Sequence, residues 1–312
     1  MKSRLLFVTL GVLALAVSAK GQQTTQPTAP ATVKVSFSVI DASGRAVNDL
    51  KTEDIQVFDR GGPVNVQSLA KETAPLMYGL VVDRSGSLKL HFSNIIDVAK
   101  QVIAANESND QTFIVSFVNG DKMNIVQELT SNTAALVAGL TTLKVEGGQT
   151  ALIDAVYLSA QYAMNHQSSD MHYRLALVLL TDGEERSSYY REEQLMQLLD
   201  KSKIQVFVVA LVTDLEDDSG FIKQSRRQKA TDFARRLGEK SRGDAFIVKS
   251  PKELADAARL LTTELHSQYV LGYNPSSTID KDNRKVKIKL TKSPQHEKWR
   301  LVVGNVTTEA QK

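Results

Sequence analysis

The chain has 312 residues, of which 42% are apolar and 23% charged, with a net charge of +3 and no cysteine. That length builds one sizeable α/β domain plus a smaller companion. The near-neutral balance argues against a nucleic-acid partner, and the absence of cysteine excludes disulfides and thiolate metal centres.

Residues 1–19 read "MKSRLLFVTLGVLALAVSA", with a basic start at Lys2 and Arg4, an apolar run from Leu5 to Val17, and small residues up to Ala19. This is the pattern of a secretory signal peptide cut after Ala19. The run is short for a membrane span; retention as an uncleaved anchor is the alternative. The cleaved reading predicts an exported chain, periplasmic or extracellular in a bacterial envelope, with no membrane span. Residues 20–31 are polar and contain proline, as a flexible linker does.

Residues 32–74 predict the first half of a β domain. Val33, Val35, Phe37 and Val39 alternate with polar residues, and Ile55/Val57 and Val64/Val66 mark two more short strands. The turns "DASGRAV" and "DRGGPV" separate them. The texture changes at Pro75. "LMYGLVV" is a continuous apolar strand, as in a sheet covered on both faces. A helix follows, then a hairpin of "QTFIVSFV" and "MNIVQEL" around "NGD". Helices over "NTAALVAGLTTL" and "TALIDAVYLSAQYAMNH" precede the buried strand "YRLALVLLTD". The helix "REEQLMQLLDKS", the strand "IQVFVVAL", a basic helix over 219–241, the strand "DAFIV" and a last helix opened by Ser250 and Pro251 complete the segment. Strands alternating with helices over 75–266 predict a doubly wound, mostly parallel sheet. Residues 267–306 return to β patterning in "YVLGYNP", "RKVKIKLT" and "KWRLVVGNV". Each flank is too small for a core of its own. The expected architecture is therefore an α/β domain inserted in a small β-sandwich-like domain built from both flanks.

Two buried strands end on an acid, at Asp83 and Asp182. In open parallel sheets ligands bind beyond the carboxyl ends of the strands. Ser85 and Ser87 follow Asp83, and Thr150 follows the turn residues Gly147 and Gly148. Two acids and three hydroxyls make an oxygen-only set suited to Mg²⁺, Mn²⁺ or Ca²⁺ and not to zinc. The five histidines show no metal-ligand spacing. Such a site leaves its cation electrophilic and open to one more carboxylate. A plain helix cap by Ser85 or Ser87 is the simpler alternative for the first loop.

The motif "DRSGS", with Thr150 in "GGQT" and Asp182 in "LTDG", resembles the metal-ion-dependent adhesion site of von Willebrand factor type A domains. The resemblance covers roughly residues 75–265. The flanking "VIDASGRAVNDLKTEDIQVFDRGG" and "QYVLGYNP" are similar to those of a bacterial secreted subgroup of such proteins. The resemblance implies a Rossmann-like fold and a Mg²⁺-type ion on Asp83, Ser85, Ser87, Thr150 and Asp182. It also implies a protein partner that donates a Glu or Asp carboxylate. Arg84 departs from the small or uncharged residue common at its position, which favours anions.

Arg84, Glu184, Arg186, Tyr189 and Tyr190 form a candidate partner rim around this site, Arg and Tyr being favoured in interfaces. The acidic loop "TDLEDDSGF" should project on the same face, and the cations of the 219–241 helix read as its solvated side. A metal-dependent hydrolase of phosphate or ester substrates is the alternative function. Against it, a dehalogenase-type site needs an acid where Ser85 stands, and no G-x-S-x-G elbow occurs. A purely structural assembly role for the cation is the third reading.

Overall fold

The computed structural model describes residues 31–168, 170–216, 224–275 and 284–310. The predicted signal peptide, nearly all of the linker, and Asp217 and Asp218 of the acidic loop lie outside the described residues.

The α/β part begins with β5 (Leu76–Asp83), all eight residues of which are buried. It continues through α1 (Phe92–Ala104), β6 (Gln111–Phe117), β7 (Met123–Thr130), α2 (Thr133–Thr141), α3 (Leu152–Asn165), β8 (Arg174–Thr181) and α4 (Glu192–Ser202). It ends with β9 (Gln205–Leu211), α5 (Arg226–Lys240), β10 (Ala245–Val248) and α6 (Leu254–His266). The six strands lie in the order β10-β9-β8-β5-β6-β7. All pairs are parallel except β6–β7, the predicted hairpin. This is the expected mixed α/β architecture of a Rossmann-like domain, with additional strands. Alternation along β5 explains why the strand reads as unbroken apolar sequence. Tyr78, Leu80 and Val82 pack on one face with Ile95, Val98 and Leu261. Met77 and Val81 pack on the other with Val156, Leu195 and Leu237. Each fully buried aliphatic side chain of this kind contributes about 1.5–3 kcal/mol.

The flanks supply β1 (Ala31–Ile40), β2 (Ile55–Asp59), β3 (Gly62–Val64), β4 (Val66–Lys71), β11 (Tyr269–Tyr273), β12 (Val286–Leu290) and β13 (Arg300–Ala310). They form two sheets, β13-β1-β11-β4 and β12-β2-β3, each drawing strands from both ends of the chain. Val33, Val35, Phe37, Val57, Leu271, Tyr273 and Ile288 share one core. The Phe37 and Tyr269 rings stack with centroids 5.7 Å apart, and the buried Tyr269 hydroxyl donates to the Val47 carbonyl at 2.9 Å.

Three local expectations differ from the structure. The stretch after Ile55 and Val57 is two strands, β3 and β4, rather than one, because the chain breaks pairing at Asn65. Ser250 caps no backbone amide: Pro251 opens a short 3₁₀ turn instead, and α6 begins at Leu254. There Ser250 Oγ donates to Glu253 while the Glu253 carboxylate takes the Lys249 amide. The α5 helix is described from Arg226, with the Ser225 hydroxyl accepting from the Gln228 amide at 3.1 Å.

Candidate metal centre and its rim

The sheet register builds the site. Val82 lies opposite Leu180 in the parallel pair of β5 and β8, so Thr181 stands beside Asp83 and Asp182 one step past the strand end. Asp83 is fully buried. Its Oδ1 accepts the Ser85 amide at 2.8 Å and its Oδ2 accepts the Thr181 hydroxyl at 2.7 Å. Ser87 Oγ donates to Asp182 Oδ2 at 2.5 Å and lies 3.1 Å from Ser85 Oγ. Burial, and then the charge of Asp182, push the Asp83 carboxyl above the usual carboxylate range. Burial pushes Asp182 in the same direction.

The Thr150 loop joins these two. The Glu146 amide donates to the Arg84 carbonyl at 2.8 Å, and the Thr150 carbonyl accepts the Arg186 and Ser187 amides at 2.9 and 3.1 Å. Thr150 is buried, two residues before α3. Gly148 allows the close approach of this loop: a Cβ there would sit 2.6 Å from Val118 Cγ1. Asp83, Ser85, Ser87 and Asp182 are linked by these side-chain bonds, and the Thr150 segment is linked to both of their loops through the backbone.

The capping alternative fails on geometry. A 3₁₀ turn covers Gly86–Leu88 and α1 starts only at Phe92. The Ser85 side chain caps no amide, and the Ser87 hydroxyl is turned to Asp182.

Two of the five rim residues are not open to a partner. Arg84 is largely buried, its guanidinium 3.2 Å from Glu146 and bonded to the Lys144 carbonyl at 3.2 Å. Glu184 is 9% exposed and takes Arg226 through two bonds at 2.7 and 2.6 Å and Arg186 at 2.5 Å. Burial raises the Glu184 carboxyl, but Arg226 and Arg186 overcome it and hold the group below its usual range. Both residues orient loops because their charges find fixed partners. Arg186 is exposed. Tyr189 is 87% exposed. Tyr190 is half-buried, stacked on Tyr157 at 3.9 Å.

The sequence reading missed four supporting groups. Thr181 orients Asp83 and also accepts the Gly183 amide at 3.0 Å; a lone hydroxyl in an apolar strand was the available signal. Asp154 accepts the Tyr189 and Tyr190 amides at 2.9 and 2.8 Å. Glu185 takes the Ile153 and Ser188 amides, both at 2.9 Å. Asp154 and Glu185 gave no signal beyond lying in polar or helical contexts. Arg226 reaches Glu184 from α5, where the cations were expected to face solvent. In the same helix Arg227 reaches the Val212 and Thr213 carbonyls and Arg236 reaches Glu192. In the acidic loop, Asp214 lies 3.3 Å from His91 Nε2. No group of three or more His, Cys, Asp or Glu side chains with metal-binding geometry occurs among the described residues, so a metal here would depend on hydroxyl ligands.

A mostly parallel sheet with paired acids and hydroxyls at its carboxyl edge defines a Rossmann-like domain with one chemically distinctive face. Residues 79–185 match the family model of the von Willebrand factor type A domain, and the chain carries a domain of that family. Domains of this family are generally protein-interaction modules. No curated protein matches the chain. Among solved structures, an aerotolerance-related membrane protein from Bacteroides fragilis is 16% identical, with a TM-score of 0.46 over 61% of this chain and 98% of its own. BatB from Bacteroides thetaiotaomicron is 12% identical, with a TM-score of 0.45 over 60% and 97%. A von Willebrand factor type A protein from Catenulispora acidiphila is 12% identical, with a TM-score of 0.49 over 92% and 75%. Among the described residues no helix is long and apolar enough to cross a membrane.

Proposed function

We propose that the chain is an exported, divalent-cation-dependent protein-binding module. Asp83, Ser85, Ser87, Thr150 and Asp182 hold a hard cation, Mg²⁺ with Mn²⁺ or Ca²⁺ as substitutes, and the partner protein donates a Glu or Asp carboxylate to it. One observation carries this reading: Asp83 and Asp182 are both buried, burial pushes both carboxyls up, and the Asp182 charge pushes Asp83 up further. Two carboxylates held together out of water favour a cation between them. The donors fit a hard ion, since all are oxygens and Ser87 already lies within hydrogen-bond reach of both Ser85 and Asp182. The hydroxyls add no charge, so the bound ion stays attractive to an external carboxylate in a partly desolvated cleft. Arg186 and Tyr189 are the exposed neighbours that a partner meets.

Calorimetric titration of Mg²⁺ into chelator-treated protein, paired with capture of partners from an envelope fraction, tests the reading. Mg²⁺ binding and capture are both expected, and Asp83→Ala or EDTA abolishes them. Capture indifferent to both overturns the mechanism. Turnover of phosphate or acyl esters lost in Asp83→Asn makes the site hydrolytic. Unchanged capture with a lower melting temperature after metal removal makes the cation a structural staple.

A further inference from the structure

At the opposite, amino-terminal edge of the six-stranded sheet lies a cleft of about 490 Å³. Its walls come from β1, β11 and β13 on one side and from the starts of β8 and β9 on the other. Strand alternation sets its chemistry. Val33, Val35 and Phe37 fill the β core, so Lys34 and Ser36 stand on the other face of β1. Register places Lys34 beside Thr307 and Gly272. A polar strand face of this kind ordinarily meets bulk water. Here it looks across a cleft at the α/β part. The volume falls in the range of small-ligand sites.

The lining is strongly cationic. Lys34, Lys71, Arg174 and Lys203 face it, and Glu72 is its one acid among the described residues. Lys203 is shared with Asp200 at 3.3 Å. Arg174 is different. Its guanidinium donates to the Ala74 and Leu265 carbonyls, at 3.3 and 3.0 Å, while Glu72, Asp110 and Glu107 support its charge from farther away. Burial works against its charge, and a desolvated guanidinium gains most from an anion. The floor is a buried amide pair. Gln268 Nε2 donates to Gln205 Oε1 at 3.2 Å, and Gln205 Nε2 donates to the Arg242 carbonyl at 2.7 Å. Both glutamines are at least nine-tenths buried, yet Gln268 Oε1 accepts no bond. A buried carbonyl left without a donor is unfavourable.

We infer that this cleft binds a small anionic ligand that also carries hydroxyl groups, the chemistry of a sugar phosphate. The cations take the anionic group, with the low-dielectric walls focusing their field. The Thr307 hydroxyl, and that of Ser36, which also takes the Asn305 amide at 2.8 Å, lie on the same wall and meet the ligand's hydroxyls. The site needs neither Asp83 nor a metal, so it stands apart from the proposed function.

The test is calorimetric titration of the purified chain with glucose 1-phosphate, glucose and inorganic phosphate as separate arms. Glucose 1-phosphate is expected to bind with measurable heat, phosphate more weakly, and glucose not at all. The double variant Lys34→Glu, Lys71→Glu is expected to raise the Kd about tenfold or more, while Asp83→Ala leaves it unchanged. Both lysines are exposed, and Lys34→Ala with Lys71→Ala gives a milder version should charge reversal disturb folding. No heat with glucose 1-phosphate, or the same Kd in both double variants, overturns the assignment. Phosphate binding as tightly as glucose 1-phosphate overturns the role given to the hydroxyls.

Discussion

Asp83→Asn is expected to stabilise the metal-free protein and to abolish stabilisation by Mg²⁺. Asp83 is fully buried against Asp182, so at neutral pH its charge is held at a cost. Removing that charge recovers about 1–3 kcal/mol, the scale for an uncompensated buried polar group. The amide oxygen can still accept the Ser85 amide. The amide nitrogen faces the Thr181 hydroxyl, which now donates to Asp83 and accepts from Gly183. The variant leaves that hydroxyl proton without its acceptor and returns about 1 kcal/mol. The net gain is about 0–2 kcal/mol, or a rise in melting temperature of up to roughly 8 °C for a domain of this size. For the natural chain, Mg²⁺ at a hundred times its Kd adds about 2.7 kcal/mol, so the two proteins change order on adding the metal. Differential scanning calorimetry in EDTA and in excess Mg²⁺ reads both effects. A variant less stable than the natural chain in EDTA refutes the charge argument. Equal stabilisation of both proteins by Mg²⁺ refutes the assignment of Asp83 as a ligand.

Gly79→Ala in the central strand puts a Cβ 2.3 Å from Phe113 Cζ and 2.8 Å from Leu177 Cδ2; it should cost about 1–3 kcal/mol, read as a lower urea midpoint. Burial and the neighbouring Asp244 push Glu264 up to about 8, with Arg300 opposing. Between its ordinary value and about 8 the folded chain holds a proton that the unfolded chain has lost. Glu264 therefore makes stability fall as pH rises through that window, by about 1.4 kcal/mol per pH unit at most. Unfolding midpoints from pH 5 to 8 should be flatter in Glu264→Gln, and identical slopes would remove the group from the account. Arg226→Ala leaves Glu184 with Arg186 alone. Because Arg226 is itself part-exposed, the loss is discounted to about 1 kcal/mol, with faster amide exchange expected over Glu184–Ser187.

The meeting of Asp83, Ser87 and Asp182 at the carboxyl edge was legible because these residues follow from strand ends. An unbroken apolar run stopping on an acid fixes both the sheet and the edge, and β5 and β8 proved to be neighbours. The alternation in β1 and β12 likewise announced half-buried strands. Less legible was everything that depends on side chains meeting across the fold. Arg84 and Glu184 read as exposed charges, yet Glu146, Arg186 and Arg226 neutralise them inside the rim. Nothing local in "SRRQK" says that Arg226 turns toward a loop 42 positions away in the chain. The same limit hid the basic cleft. Lys34 and Lys71 look like ordinary solvated strand residues until Arg174 and Gln268 are brought opposite them.

The way the two parts join separates the two edges. The chain enters the α/β part after β4 and leaves it into β11, and these strands pair directly, with Lys71 opposite Tyr269. The Glu72 amide donates to the Gln268 carbonyl at 2.8 Å, extending the ladder to the junction itself. Entry and exit are therefore one paired stalk at the amino-terminal edge of the sheet. At about 3.3 Å per residue, the eight residues of β5 carry Asp83 roughly 25 Å from that stalk. A partner arriving at the carboxyl edge meets the loops after β5 and β8. The cleft at the stalk is shaped by both parts, with Asn305 bonded to the Lys203 carbonyl at 2.9 Å across it. The ligand inferred there would bear on how the two parts are held together, whereas the cation proposed at Asp83 would bear on what the far face grips.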